Sequence, residues 1–177
     1  LLAAGEPYDG SGDAGRNPPA NPSFSVQAAY IDQLSVALLD ADDVWMPKKL
    51  EEQVSLLLQH PDAGMLYGGT EYWHGWTGKP EHALRDSIPR LRTSGKFQPM
   101  QLLVPYFLQR IAIPCMCSIL ARRQAMLRIG AFDDEFANHQ DQAFYVRMMT
   151  AEPVLVVERC WDRYRQHSGS LTGALAR

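Results

Sequence analysis

Three carboxylates fall within four residues at Asp40-Ala41-Asp42-Asp43. Held that close they repel one another, and the repulsion costs stability unless a cation or solvent relieves it. A hard divalent ion is the natural partner. Mg2+ and Mn2+ prefer oxygen ligands, take one or two carboxylates from a protein, and leave other positions to waters and substrate phosphates. A local reading competes with this one: Asp42 or Asp43 caps a helix that has Pro47 in its first turn. The tetrapeptide alone supports both. Cys115, Cys117 and Cys160 are odd in number and lack a CxxC pair, so they read as reduced core residues, with neither a disulfide framework nor a zinc site. His60, His74, His82 and His139 show no ligand spacing and are assigned no role.

The elements that must position the acidic cluster are legible from periodicity. SVALLD, Ser35 to Asp40, is a short apolar run stopped by the acids, as a buried parallel strand would be, which places the acids at a strand's carboxyl end. Open α/β sheets bind nucleotides there. Leu50, Val54, Leu57 and Leu58 recur at the spacing of one helix face until His60-Pro61 stops the pattern. Ala63 to Gly69 predicts a strand, and Thr70 to about Gln98, rich in Trp, Gly, Pro and charge, predicts a long loop with short structured pieces. A helix near Met100 to Arg110, a strand from Cys115 to Ala121, and a helix from Arg122 to Ile129 closed by Gly130 follow. The last elements are a helix from Asp141 to about Ala151 and a strand from Pro153 to Glu158. Alternating strands and helices imply an α/β sheet covered by helices.

Composition narrows the function class. With 177 residues, 46% hydrophobic and 21% charged, the chain suits one folded domain rather than a disordered or fibrous protein. A formal net charge of -3 supplies no basic footprint for a nucleic-acid backbone, so no nucleic-acid partner is expected. There is no apolar run of the roughly 20 residues that span a bilayer and no secretory signal pattern, so a cytoplasmic setting is expected, free or peripheral at the inner face of the membrane. The stretch from Leu1 to about Asn21 is dense in Gly, Pro, Asn, Asp and Ala without apolar period. Residues 1–23 are therefore expected to form a flexible tail or diverged linker, and 24–177 the folded domain.

LLDADDVWMPKKLEEQV, Leu38 to Val54, resembles the metal-binding segment of family 2 glycosyltransferases of the GT-A fold, where an LDADD-W-P-KL pattern closes the nucleotide-sugar half. SILARRQAMLRIGAFDDEF, Ser118 to Phe136, resembles the segment that precedes the family's acceptor site. Gln140-Asp141 stands at the family's Glu-Asp pair, and RYRQHSGSLT, Arg163 to Thr172, resembles its YRxH-x-x-S-x-T tail. YGGTEYWHGWTG, Tyr67 to Gly78, resembles a subgroup with a WTG loop after the metal segment. The likeness runs from about Ser35 to Thr172, and its segments keep the family's order. It implies a GT-A-like (Rossmann-like) α/β fold, a mixed sheet flanked by helices, here a partial domain incomplete at its amino end.

The implied activity is transfer of a sugar, with inversion, from a nucleotide-diphosphate donor to a hydroxyl on a glycan or lipid-linked acceptor, as in surface polysaccharide assembly, with Mn2+ or Mg2+ as cofactor. The resemblance makes Asp42 a metal ligand, sets Asp40 at the ribose or a metal-bound water, and lets His167 complete the metal shell or bond a phosphate. Asp141 becomes the general base for the acceptor hydroxyl, against the plainer role of a helix N-cap. Arg163 and Arg165, on one face of an extended segment, neutralise diphosphate. Asp43, Arg122 and Gln140 join the substrate-binding set, and Trp73 and Trp76 stack on sugar, packing being the alternative for either ring. Gln140 removes a negative charge beside Asp141, which leaves Asp141 the weaker base.

No Pro-Thr-Tyr-Asn-like turn or DDGS-like segment precedes Asp40; Asp9-Gly10-Ser11 has no apolar strand before it. A sheet without its first strands exposes an edge suited to self-association. Two rival readings follow. One is a non-catalytic remnant or carbohydrate-binding module that keeps the acceptor half. The other is a nucleotidyltransferase, for which GSGDAGR, Gly10 to Arg16, is a poor phosphate loop.

Overall fold

The computed structural model describes residues 35–132 and 139–167, and the fold is given for those. The expected tail at 1–23, the turn at 133–136 and the segment from 168 onward lie outside them. Six strands form one mixed sheet: β1 (Ser35–Ala37), β2 (Val44–Trp45), β3 (Met65–Trp73), β4 (Gly95–Phe97), β5 (Leu120–Arg122) and β6 (Val154–Arg165). Their order is β1-β5-β3-β6-β2, with β4 also paired to β6. β3 and β6 run parallel, and the other pairings are antiparallel. The helices are α1 (Lys49–Gln59), α2 (Pro80–Ala83), α3 (Leu103–Phe107), α4 (Arg123–Arg128) and α5 (Gln140–Ala151).

Side-chain alternation along β3 sorts the core into two layers. Met65 and Tyr67 join Val154 and Val156 of β6 under Phe144, Tyr145, Met148 and Met149 of α5. Leu66 and Leu155 point the other way, into a cluster with Leu57 of α1, Leu120 and Trp161. Both faces of the central strands are thus covered, which is why β3 opens on an unbroken buried run and why the chain is an α/β protein. Among the described residues no helix is long and apolar enough to cross a membrane.

The run expected as a buried parallel strand at Ser35 to Asp40 is shorter and lies elsewhere in the sheet. β1 ends at Ala37, is half-buried, and pairs antiparallel with β5 at one end of the strand order. A short apolar run carries no information about its neighbour's direction; here β5 lies between β1 and β3 and sets it. β3 and β6 both outrun their predicted ends, because Thr70–Trp73 pairs with Asp162–Arg165 and satisfies a backbone whose side chains are too polar to announce a strand. The expected strand from Cys115 opens instead as a 3-10 turn, Met116–Ser118.

α1 forms where the leucine spacing predicts it but buries a different face. Its buried residues are Lys49, Gln53 and Leu57, while Val54 is 40% and Leu58 65% exposed. The surface beneath α1 is polar: the carbonyls of Ile119 and Ser118 accept hydrogen bonds from Lys49 Nζ at 3.2 Å and Gln53 Nε2 at 2.7 Å. Apolar side chains there would strand those carbonyls, at a cost of about 1–3 kcal/mol each.

Candidate functional site

The acidic cluster is a tight turn, closed by the Asp43 N–H donating to the Asp40 carbonyl at 3.1 Å. The turn splays its three carboxylates into three environments, which lessens the repulsion their spacing imposes, although beyond the effect of burial the charge of Asp42 still raises both Asp40 and Asp43. None of them caps α1, whose N-terminal position is Lys48 without a side-chain cap.

Asp40 lines a cavity of about 400 Å3 whose walls include Tyr72, Cys115, Tyr145 and Tyr164. Asp141, in the first turn of α5, lines the same cavity. The Asp40 carboxyl is pushed above its ordinary range, first by burial and then by the charges of Asp42 and Asp141. Asp141 is not the N-cap of α5: that position is His139, in the left-handed region at φ 64, and Asp141 Oδ1 accepts the N–H of Gln142 at 2.8 Å. The Tyr145 hydroxyl, on the same wall, is buried and has no hydrogen-bond partner. Tyr72 and Tyr164 meet edge to face, with ring centres 5.7 Å apart.

Asp42 turns toward the end of β6, where His167 Nε2 lies 2.9 Å from its Oδ2. That bond, above the other influences, holds the Asp42 carboxyl below its ordinary range. The Arg165 guanidinium adds a favourable charge and sits 5.5 Å from the Trp73 ring centre and 5.2 Å from that of Trp76. Its Nε is buried without a hydrogen-bond partner. A second cavity, of about 520 Å3, opens on this side between Trp76, His82, Arg85 and His167.

Asp43 turns inward. Its Oδ1 accepts the Arg165 N–H at 2.9 Å, and its Oδ2 is buried without a partner. Burial raises its carboxyl, with the bond from the Arg165 N–H and the approach of the Cys117 thiol opposing. Nearby, Cys115 Sγ lies 3.0 Å from Cys117 Sγ, and the Cys117 thiol donates to Asp162 Oδ2 at 3.0 Å. The Cys117 thiol stands well above its ordinary range, through its contact with Cys115 and then through burial. Burial also pushes Asp162 up to about 6 and draws Lys49 down to about 8, with the attraction of Asp162 opposing the latter.

The other residues of the sequence-derived set are placed as follows. Arg122 donates to the carbonyls of Ala63 at 2.9 Å and Leu57 at 2.6 Å, where its charge closes the carboxyl end of α1 rather than lining the cavity. Arg163 and Arg165 do share a face, both against Trp73, but Arg163 Nε is paired with Glu71 at 2.7 Å. Trp76 donates its indole N–H to the Gln166 carbonyl at 3.0 Å, and Gln140 is an exposed first residue of α5. Sequence reasoning passed over Tyr72, Tyr145 and Tyr164, and also the buried set of Lys49, Gln53, Cys117 and Asp162. A lysine and a glutamine four apart carry no signal of burial, and nothing local marks which tyrosines share a wall.

No protein-family model matches the chain, and no curated protein sequence matches it significantly.

Proposed function

We propose that the chain is a metal-dependent inverting glycosyltransferase domain of GT-A type, which moves a sugar from a nucleotide-diphosphate donor to an acceptor hydroxyl. One observation carries the reading: Asp40 and Asp141, which the resemblance puts on the donor and acceptor sides of a single reaction, line the same cavity. The pairing of Asp42 with His167 supports it further.

A carboxylate oxygen and an imidazole nitrogen make a donor set that suits Mn2+, and Asp42 and His167 would hold it. The bound ion supplies Lewis-acid neutralisation of the donor diphosphate. Arg165 adds a fixed positive charge beside the same carboxylate. Asp141 takes the acceptor hydroxyl proton as that oxygen bonds the anomeric carbon, and the carbon–oxygen bond to diphosphate breaks with its electron pair on the leaving group. Attack on the face opposite the leaving group inverts the anomeric centre. The walls formed by Tyr72 and Tyr164 offer aromatic surface to a sugar's C–H face.

Calorimetric titration with UDP, GDP and dTDP sugars, each with and without Mn2+, tests the reading. Metal-dependent binding of one donor is the expected result. A folded chain that binds none of them would instead be a remnant or carbohydrate-binding module.

A further inference from the structure

The three-ligand grouping among the described residues lies beneath the acidic turn rather than at Asp42 and His167. A carboxylate oxygen of Asp43 and the Sγ atoms of Cys115 and Cys117 all lie within 4.8 Å of one another. We infer that Asp43, Cys115 and Cys117 form a binding site for a thiophilic divalent ion, Zn2+, with its own ligands and separate from the Asp42 and His167 pair.

The donor chemistry selects the ion. Two thiolates and one carboxylate suit Zn2+, whereas Mn2+ and Mg2+ favour all-oxygen shells. The spacing suits it too. Zn2+ binds sulfur at about 2.3 Å and carboxylate oxygen at about 2.0–2.2 Å, so tetrahedral ligand atoms stand a little under about 4 Å apart. The cluster is within a small side-chain movement of that cage. Asp43 supplies the second sign: the residue is 7% exposed, and its Oδ2 is buried with no hydrogen-bond partner beyond the approach of the Cys117 thiol, itself one of the three ligands. Its Oδ1 is fixed by the Arg165 N–H at 2.9 Å, the kind of outer contact that orients a ligating carboxylate.

Charge balance and access are also in place. Binding deprotonates both thiols, and the two charges of Zn2+ replace the two protons lost, so the net charge of the buried cluster does not change. Cys117 gives up its hydrogen bond to Asp162 Oδ2, 3.0 Å away, when its thiol deprotonates, and the charge of Lys49, which acts on both groups, offsets the two neighbouring anions. Cys115 is half-buried and lines the 400 Å3 cavity, which gives an ion a path in and leaves water to take the remaining position. The sequence reading excluded zinc because Cys115 and Cys117 do not form a CxxC pair. The 3-10 turn Met116–Ser118 and the turn that closes on Asp43 bring the ligands together instead.

The test uses the reduced, metal-stripped chain and a chromophoric zinc chelator as competitor. The expected result is uptake of one Zn2+ per chain with release of two protons near neutral pH. Co2+ in place of Zn2+ should give a thiolate-to-cobalt charge-transfer band. Cys115→Ser and Cys117→Ser should each weaken Zn2+ binding by about tenfold or more, since even outer-shell losses reach that size. Cys160→Ser should leave it unchanged. If Cys117→Ser does not fold, Cys115→Ser and the Co2+ spectrum of the unaltered chain decide the matter. A reduced, folded chain that takes up no zinc would overturn the inference, as would Co2+ binding without the thiolate band or with a band that survives both serine substitutions. None of these outcomes depends on glycosyl transfer.

Discussion

Asp42 Oδ2 and His167 Nε2 lie 2.9 Å apart although 125 residues of chain separate them. The contact joins the acidic turn to the last described residue beyond β6. It makes the two side chains one unit, so either substitution should have the same consequence. Asp42→Asn and His167→Gln are each expected to weaken Mn2+-dependent donor binding by about tenfold or more while the far-ultraviolet circular dichroism stays that of the folded chain. Unchanged donor affinity in either variant would remove the pair from the metal site. Isothermal titration of both variants makes the comparison.

Asp141→Asn separates chemistry from binding. Losing a general base costs about 100-fold to 10,000-fold in rate. Turnover should fall by that order while donor affinity holds, because Asp141 faces the cavity from α5, whereas Asp42 turns toward His167 at the end of β6. Measuring kcat and donor affinity side by side is decisive: an equal loss in both would make Asp141 a binding residue instead.

Lys49 gives stability a pH dependence of known sign. Folded Lys49 keeps its proton only below about 8, against 10.5 for an ordinary lysine. Between those values the unfolded chain binds more protons, so stability rises with pH through the window. Relative to Lys49→Met, the unaltered chain should gain about 3 kcal/mol from below pH 8 to above 10.5. Urea denaturation of both proteins across that range measures the gain, and parallel stability curves would refute it.

Gly68→Ala should destabilise the fold by about 2–4 kcal/mol. A Cβ at Gly68 would stand 2.3 Å from the Arg159 carbonyl oxygen and 2.7 Å from the Trp161 ring. The carbonyl belongs to the stretch of β6 where pairing skips from Tyr67↔Val156 to Gly69↔Cys160, so the backbone has little room to retreat. Gly69→Ala is the control: its Cβ would meet nothing closer than 3.5 Å, and its denaturation midpoint should stay near that of the unaltered chain.

Secondary structure was largely legible in the sequence, because local periodicity and stop signals act over a few residues. The leucine spacing located α1, the Phe144 to Met149 pairs located α5, and Gly130, at φ 78, ends the α4 segment as a glycine in that position should. The buried face of α1 was not legible. Hydrophobic spacing favours Leu50, Val54, Leu57 and Leu58, of which Leu57 is buried, and only the facing carbonyls of Ser118 and Ile119 explain why Lys49 and Gln53 go inside beside it. Likewise the polar ends of β3 and β6 are strands only because each is the other's partner.

The candidate site divides the same way. The sequence by itself determined that three carboxylates would crowd one turn and that an acidic residue would open α5, since both depend on neighbours along the chain. Tertiary structure alone decided where each carboxylate went: Asp40 to the cavity it shares with Asp141, Asp42 to His167, and Asp43 inward to Cys115 and Cys117. The reason is range. Repulsion within a tetrapeptide is set by covalent spacing. Its relief depends on partners more than 70 residues away; the pairing of β6 with β2 and β3 brings Arg165 and His167 alongside, and the 3-10 turn before β5 brings the two cysteines.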